Sequence, residues 1–180
     1  MLGRFMVLMI RYILLGIIGV LGAGNLWGTS AMDGTWKIEP ELGTDLGSWR
    51  TLEIDIETNG DLVTINRRFA AGRRKDDDSM TIDLTKDKNV VPVRWWPDNR
   101  YIGAFISDAH EKTVQGKWMS NGRVLRLESD LVLTTQQGDV PVNILRNYKV
   151  SANGKQLSLI TIRSTRDRPV VYFFKRAESK

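Results

Sequence analysis

The chain contains no cysteine. That excludes disulfides, thiolate metal sites, a cysteine nucleophile and attachment of lipid through a cysteine. It does not exclude export, because a domain of this length buries enough core to stand without bridges. Histidine is nearly as scarce, with His110 alone. A single histidine without cysteine cannot build an ordinary zinc site, and any Ser-His-Asp triad would have to run through it. No serine sits in a nucleophile elbow. His110 is left as a candidate axial ligand for haem or, beside Asp108 and Glu111, as part of an exposed loop. The sequence carries no cofactor motif, so neither a cofactor nor enzymatic activity is expected.

Also missing is a cationic stripe with interleaved aromatics. The formal net charge is +5, but Arg4 and Arg11 belong to the leading segment, and without them +5 becomes +3. The remaining charges of both signs are interspersed, so a nucleic-acid partner is not expected. Outside the leading segment no stretch keeps a helical period for a useful length.

Residues 1–31 read as that leading segment. Arg4 gives a positive start, and after Arg11 an apolar run extends from Tyr12 to Ala23. Such a run has the length of a signal-peptide core and falls short of the ~20 residues that span a bilayer. Small residues follow at Gly22-Ala23-Gly24 and Thr29-Ser30-Ala31, where cleavage would occur after Ala23 or Ala31. The rival is an uncleaved anchor counted from Phe5, which would associate with a membrane through this segment only. Either way residues 32–180 are expected as one exported domain, periplasmic or secreted.

What is abundant is the grammar of strands. Leu52, Ile54 and Ile56 alternate with Glu53, Asp55 and Glu57, the pattern of a half-buried strand. Val63, Ile65 and Phe69 share a face with Arg67, and Met80, Ile82 and Leu84 form another apolar face. The charged stretch from Gly72 to Ser79 between them is expected as a tip. Pro92 demotes Val90 to Arg94 to an edge strand. Asn59-Gly60, Asn121-Gly122 and Asn153-Gly154 mark hairpins, the last placed as a two-residue turn with positive φ at both positions. Strands follow at Tyr101 to Ile106, Thr113 to Met119, Arg123 to Thr134, Val140 to Val150, Gln156 to Arg163 and Pro169 to Arg176. Some eight to ten strands at short spacing predict an all-β fold, a single antiparallel up-and-down barrel, since closure removes unpaired edges.

Gly34-x-Trp36 at the first strand, with Lys175-Arg176 ending the last, resembles the lipocalin and calycin barrels. More narrowly, Gly34 to Ile38, the Asn59-Gly60 hairpin, Tyr148 to Ser151 and Asn153 to Leu157 resemble exported bacterial lipocalin-like proteins. The resemblance implies that Trp36 packs across the barrel floor against a basic residue from a late strand. It also implies non-catalytic binding of a small hydrophobic or amphipathic ligand. The helix of true lipocalins is not visible here, and their disulfide cysteines are absent.

A cup of that type needs an apolar lining with one or two buried polar groups to orient a ligand head. Arg146 and Tyr148 share parity with Val140, Val142 and Ile144. Arg67 shares it with Val63 and Ile65, and Arg163 with Leu157, Leu159 and Thr161. Facing inward, these groups would meet an anionic head, and buried guanidinium requires such a partner. Alternatively they snorkel from strand ends or pair with Asp and Glu across the sheet. Trp95 and Trp96, before Pro97, would rim an opening and stack on a ligand, touch a membrane surface, or plug the barrel end as core. Trp118, in parity with Val114 and Gly116, is lining or core. Asp76, Asp77 and Asp78, after Arg73-Arg74-Lys75, could attract calcium or form a solvated tip. The alternative to ligand binding is an envelope interaction module with a filled barrel, whose Trp95-Trp96 loop meets a protein or polysaccharide.

Overall fold

The computed structural model describes residues 30–95 and 104–178. The expected targeting segment up to residue 29, and Trp96, lie outside the described residues. The chain forms β1 (Gly34–Ile38), a 3-10 turn at Pro40–Leu42, β2 (Thr51–Asn59), β3 (Leu62–Ala71), β4 (Arg74–Asp83) and β5 (Asn89–Pro92). There follow β6 (Ala104–Ile106), β7 (Glu111–Met119), β8 (Val124–Thr135), β9 (Gly138–Val150), β10 (Gln156–Arg163) and β11 (Val170–Arg176).

All pairings are antiparallel, and the strands run in the order β4-β3-β2-β1-β11-β10-β9-β8-β7-β5. Ten strands therefore make one meander, and the short β6 pairs with β8 beyond the end of β7. The first and last strands, β1 and β11, pair with each other, with Trp36 opposite Arg176 and Ile38 opposite Phe174. The expected all-β up-and-down barrel is present, with Pro92 ending an edge strand. Its two path ends, β4 and β5, lie side by side without a backbone ladder, so the barrel is nearly closed.

Alternation decides what lies inside. Leu52, Ile54 and Ile56 of β2 are buried, as are Val63 and Ile65 of β3 and Leu157 and Leu159 of β10. They pack with Trp36, Leu125, Leu127, Tyr148 and Phe174 into the main cluster. Gly116 on β7 marks how full this half is: a Cβ there would lie 2.5 Å from Leu84 Cδ2 and 2.9 Å from Leu127 Cδ2. A smaller cluster of Leu131, Leu133, Val142 and Ile144 lies on β8 and β9.

Two local expectations are corrected. The stretch Gly72 to Ser79 is not a tip: β4 begins at Arg74, and Arg67, Arg68 and Phe69 pair with Asp78, Asp77 and Asp76. Cross-strand charge pairing carries a strand through residues of low β-propensity. At Asn153-Gly154 only Gly154 has positive φ, +68°. Asn153 Oδ1 instead accepts from the Lys155 amide at 3.1 Å and pairs with the Ser151 hydroxyl at 2.7 Å. The asparagine serves as a hydrogen-bonding turn residue in a longer loop.

Candidate functional site

Along β3, β4, β7 and β9 the inward alternation switches from apolar to charged. In β3 the face reads Val63, Ile65, Arg67, and in β9, read backwards from the floor, Val150, Tyr148, Arg146. The inward face of β4 continues from Ile82 and Met80 to Asp78, and that of β7 from Gly116 and Val114 to Lys112. Arg67, Asp78, Lys112 and Arg146 thereby surround one cavity of about 30 Å³, with Met80, Pro92, Val93, Trp95, Leu131 and Ile144 completing its walls. A buried water needs about 10–15 Å³ of such space, so the cavity has room for about two water-sized polar groups, the scale of a small head group.

Within it Arg67 is buried and makes a two-pronged ion pair with Asp78, Nε donating to Oδ1 at 2.8 Å and Nη2 to Oδ2. Burial works against the Asp78 carboxylate, but the charge and hydrogen bonds of Arg67, aided by Lys112 and Arg146, hold its pKa below the usual range. The Lys112 pKa is lowered too, which here favours the neutral form. Burial first, then the charges of Arg146 and Arg67, outweigh the attraction of Asp78 and bring its pKa down to about 7. The chamber walls, Arg94 included, hold four cationic side chains and one carboxylate. On the outer face, by contrast, Arg68 of the opposite parity bridges Glu53 and Asp55 in water.

Next to the chamber the barrel wall is interrupted. On β8, β7 pairs only up to Asp130 and β6 begins at Leu133. The turn between them, through Ser107 to His110, leaves an open groove of about 490 Å³ over Leu131, Val132, Pro141 and Val142. Lys112 and Leu131 line both spaces. A charged chamber and a largely apolar groove thus share a wall.

The chamber also touches the seam between β4 and β5, which side chains close. At one end Asn89 imitates a paired strand residue: Oδ1 accepts from the Asp83 amide at 2.9 Å, and Nδ2 donates to Asp83 O at 3.0 Å and Val114 O at 3.2 Å. At the other end Arg94 binds Asp76 Oδ1 at 2.9 Å and Asp77 O at 2.7 Å, and Trp95 Nε1 donates to Asp77 O at 3.2 Å. Asn89→Ala leaves the partly buried Asp83 amide unsatisfied, so a stability loss of about 1–3 kcal/mol is expected. Hydrogen exchange should show the Asp83 amide losing protection; an unchanged rate would mean that something else closes the seam.

The other residues singled out from sequence are distributed as follows. Tyr148 and Arg163 are buried on β9 and β10, with Thr161 and Ser129 also inward and buried. Tyr148 belongs to the main cluster rather than the chamber wall. Arg163 faces Ile144 across the ladder and lies off the chamber lining. Trp95 does not project from a rim. Its ring packs 5.2 Å from Phe69 and 5.6 Å from Trp49, so it caps the chamber side of the barrel as core. Trp118 is partly buried against the main cluster. Asp76 and Asp78 each pair with a different arginine, Arg94 and Arg67, rather than forming a cation site. His110 stands exposed, with φ of 49°, and lines neither the chamber nor the groove.

Sequence reading missed Lys112, Asn89 and Arg94, and it placed Asp78 on a charged tip rather than in the chamber. A signal existed for two of them. Asp78 shares parity with Met80 and Ile82, and Lys112 with Val114 and Gly116. Asn89 and Arg94 act across a seam that only the closed sheet reveals.

Fold and site together define an antiparallel β-barrel with a cationic chamber in its wall. No family model matches the sequence, and no curated protein matches it either. Among solved structures it is similar to a fatty acid binding protein of Schistosoma mansoni in complex with arachidonic acid, at 10% identity and TM-score 0.49, covering 83% of this chain and 98% of that one. It is similar to secretory abundant heat soluble protein 4 from Ramazzottius varieornatus at 8% identity and TM-score 0.49, covering 84% and 99%. A fatty acid transporter follows at 14% identity and TM-score 0.47, covering 82% and 97%.

Proposed function

We propose that this chain is an exported, non-catalytic binding protein for a small amphipathic anion, with the charged head in the chamber and the apolar part along the adjoining groove. The observation that carries the reading is the shared wall: Lys112 and Leu131 face a small cationic cavity on one side and a groove of ligand size on the other. Arg146, 4% exposed, is the arginine on the β9 wall and the bet for the head-group contact. Arg67 supports it from β3, already oriented by Asp78. Tyr148 and Arg163 lie further along the interior and would act behind the head rather than on it. The location outside the cytoplasm rests on the apolar run Tyr12 to Ala23 and the small residues after it. The mass of the chain recovered from an exporting cell tests it, a full-length cytoplasmic product overturning this part.

Binding is tested by titrating octyl sulfate, octanoate and octanol below their micelle or solubility limits. The two anions are expected to bind one to one, and octanol more weakly. Arg146→Met keeps the volume and removes the charge, so anion affinity should fall about 10–100-fold, the worth of a hydrogen bond to a charged group. The octanol affinity and the fold should be unaffected. Absence of anion binding would overturn the carrier reading.

One observation favours a second reading. The main half of the interior is filled by Trp36, Tyr148, Phe174 and their neighbours, while Phe105 is 67% exposed on β6. A filled barrel that meets an envelope partner through this region would be insensitive to Arg146→Met and sensitive to Phe105→Ser.

A further inference from the structure

We propose that an anionic head enters the chamber together with a proton carried by Lys112, so that the site fills at neutral or lower pH and empties as pH rises. The inference rests on the binding reading above and adds how that site is regulated.

The geometry supplies the coupling. Arg67 faces the chamber from β3, Asp78 from β4, Arg146 from β9 and Arg94 from the segment after β5. On the groove side of Lys112 stand Glu111 and Asp130, both exposed. Guanidinium groups stay charged across the working pH range. Asp78 stays ionised there as well, because Arg67 holds its pKa low. Lys112 is the chamber group whose charge changes near neutrality. Its ammonium is crowded by two guanidinium charges and offset by one carboxylate, and among the described residues no carboxylate forms an ion pair with it.

An anion placed in the chamber reverses this balance. It adds an opposite charge beside Lys112, which favours the ammonium and raises its pKa from about 7 in the empty protein. Below that value Lys112 is charged with or without ligand, and binding takes up no proton. Between the empty and the filled pKa the filled site holds a proton that the empty site has lost. Affinity therefore falls with rising pH, by up to about tenfold per unit where uptake is complete. Above the filled value the amine is neutral in both states and the dependence flattens.

The test is calorimetric titration of the whole chain with octyl sulfate, whose head stays ionised, at pH 6, 7, 8 and 9 in two buffers of different ionisation heat. Affinity is expected to fall about tenfold or more from pH 6 to pH 9. The difference in heat between buffers should report proton uptake rising towards one above pH 7. Lys112→Arg, charged throughout, should bind tightly with a flat profile, and Lys112→Met weakly with a flat profile. Binding that is independent of pH and buffer would overturn the coupling while leaving the carrier reading in place. A pH dependence that survives in Lys112→Arg would overturn it too, by assigning the proton elsewhere. No binding at any pH would overturn both readings.

Discussion

Asp78→Ala is expected to lower the unfolding free energy by about 3 kcal/mol, the lower end of what is lost when one partner of a buried ion pair is removed. The lower end applies because the Asp78 side chain keeps 28% of its surface exposed. The loss arises from what is left behind. Arg67 stays buried in a chamber that also holds Lys112 and Arg146, with no carboxylate among the lining residues. The sign with pH follows from the depressed pKa of Asp78. Its contribution is complete above the ordinary carboxylate value of 3.8 and is lost as pH falls through the lower value of the folded state. The gap between wild type and variant in urea midpoint should be full at pH 7 and close in strong acid. Two further results separate this account from a plain packing defect. The double change Arg67→Met with Asp78→Met should recover most of the loss, since apolar groups of similar size replace buried ion pairs well. Sulfate should stabilise Asp78→Ala more than wild type, because the chamber lining then carries a larger excess of positive charge. A loss below about 1 kcal/mol, the range of exposed pairs, would show that Asp78 is not the counter-charge of the chamber.

The same residue shows how far sequence reaches. Period-two alternation in β2, β3, β9 and β10 was legible because each strand has an apolar face that repeats over several residues. It placed Arg67, Arg146, Tyr148 and Arg163 inside. For Asp78 the one signal was its parity with Met80 and Ile82, since Arg74 to Ser79 contains no apolar side chain of its own. That segment is a strand where Arg67 pairs with Asp78 across the β3–β4 hairpin, a contact that alternation within one strand does not reveal. Both expectations for the buried arginines hold in part: they face inward, and Arg67 meets an acid across the sheet. The chamber itself was invisible for another reason. It forms where β7 gives way to β6 on β8 and where β4 meets β5, and no local pattern encodes either junction. For Trp95 the sequence left rim and core both open, because its partners, Trp49, Phe69 and Asp77 O, come from three separate segments.

Trp36→Ala is expected to cost about 3–5 kcal/mol, the range for a large aromatic removed from a core. Trp36 is fully buried, and its Nε1 donates to Met32 O at 2.9 Å. The guanidinium of Arg176, its register partner on β11, lies 4.2 Å above the ring. This is the packing that the calycin resemblance implied, a first-strand tryptophan against a basic residue of the last strand. Its effect here is closure. Arg176 also donates to Gly154 O at 2.9 Å and to the carbonyls of Ala31 and Asp33. One side chain thus ties the segment before β1 and the β9–β10 loop to the strand pair that closes the ring. Removing the indole leaves a void under Arg176 and takes away the face on which it rests, so β1 should loosen as a unit. Hydrogen exchange should show lost protection in β1 and β11 before β3 and β4, together with the lower urea midpoint. Trp36→Phe keeps an aromatic face and gives up the hydrogen bond, and should lose about 1–2 kcal/mol. Equal losses in the two variants would assign the stability to the bond at Met32 O, and uniform loss of protection across all strands would sink the closure argument. Octyl sulfate binding by the folded fraction of Trp36→Ala should persist, because the floor at Trp36 and the chamber around Arg146 occupy different parts of the barrel. That independence is what lets the floor hold the ring shut while the seam beside the chamber remains closed only by side chains.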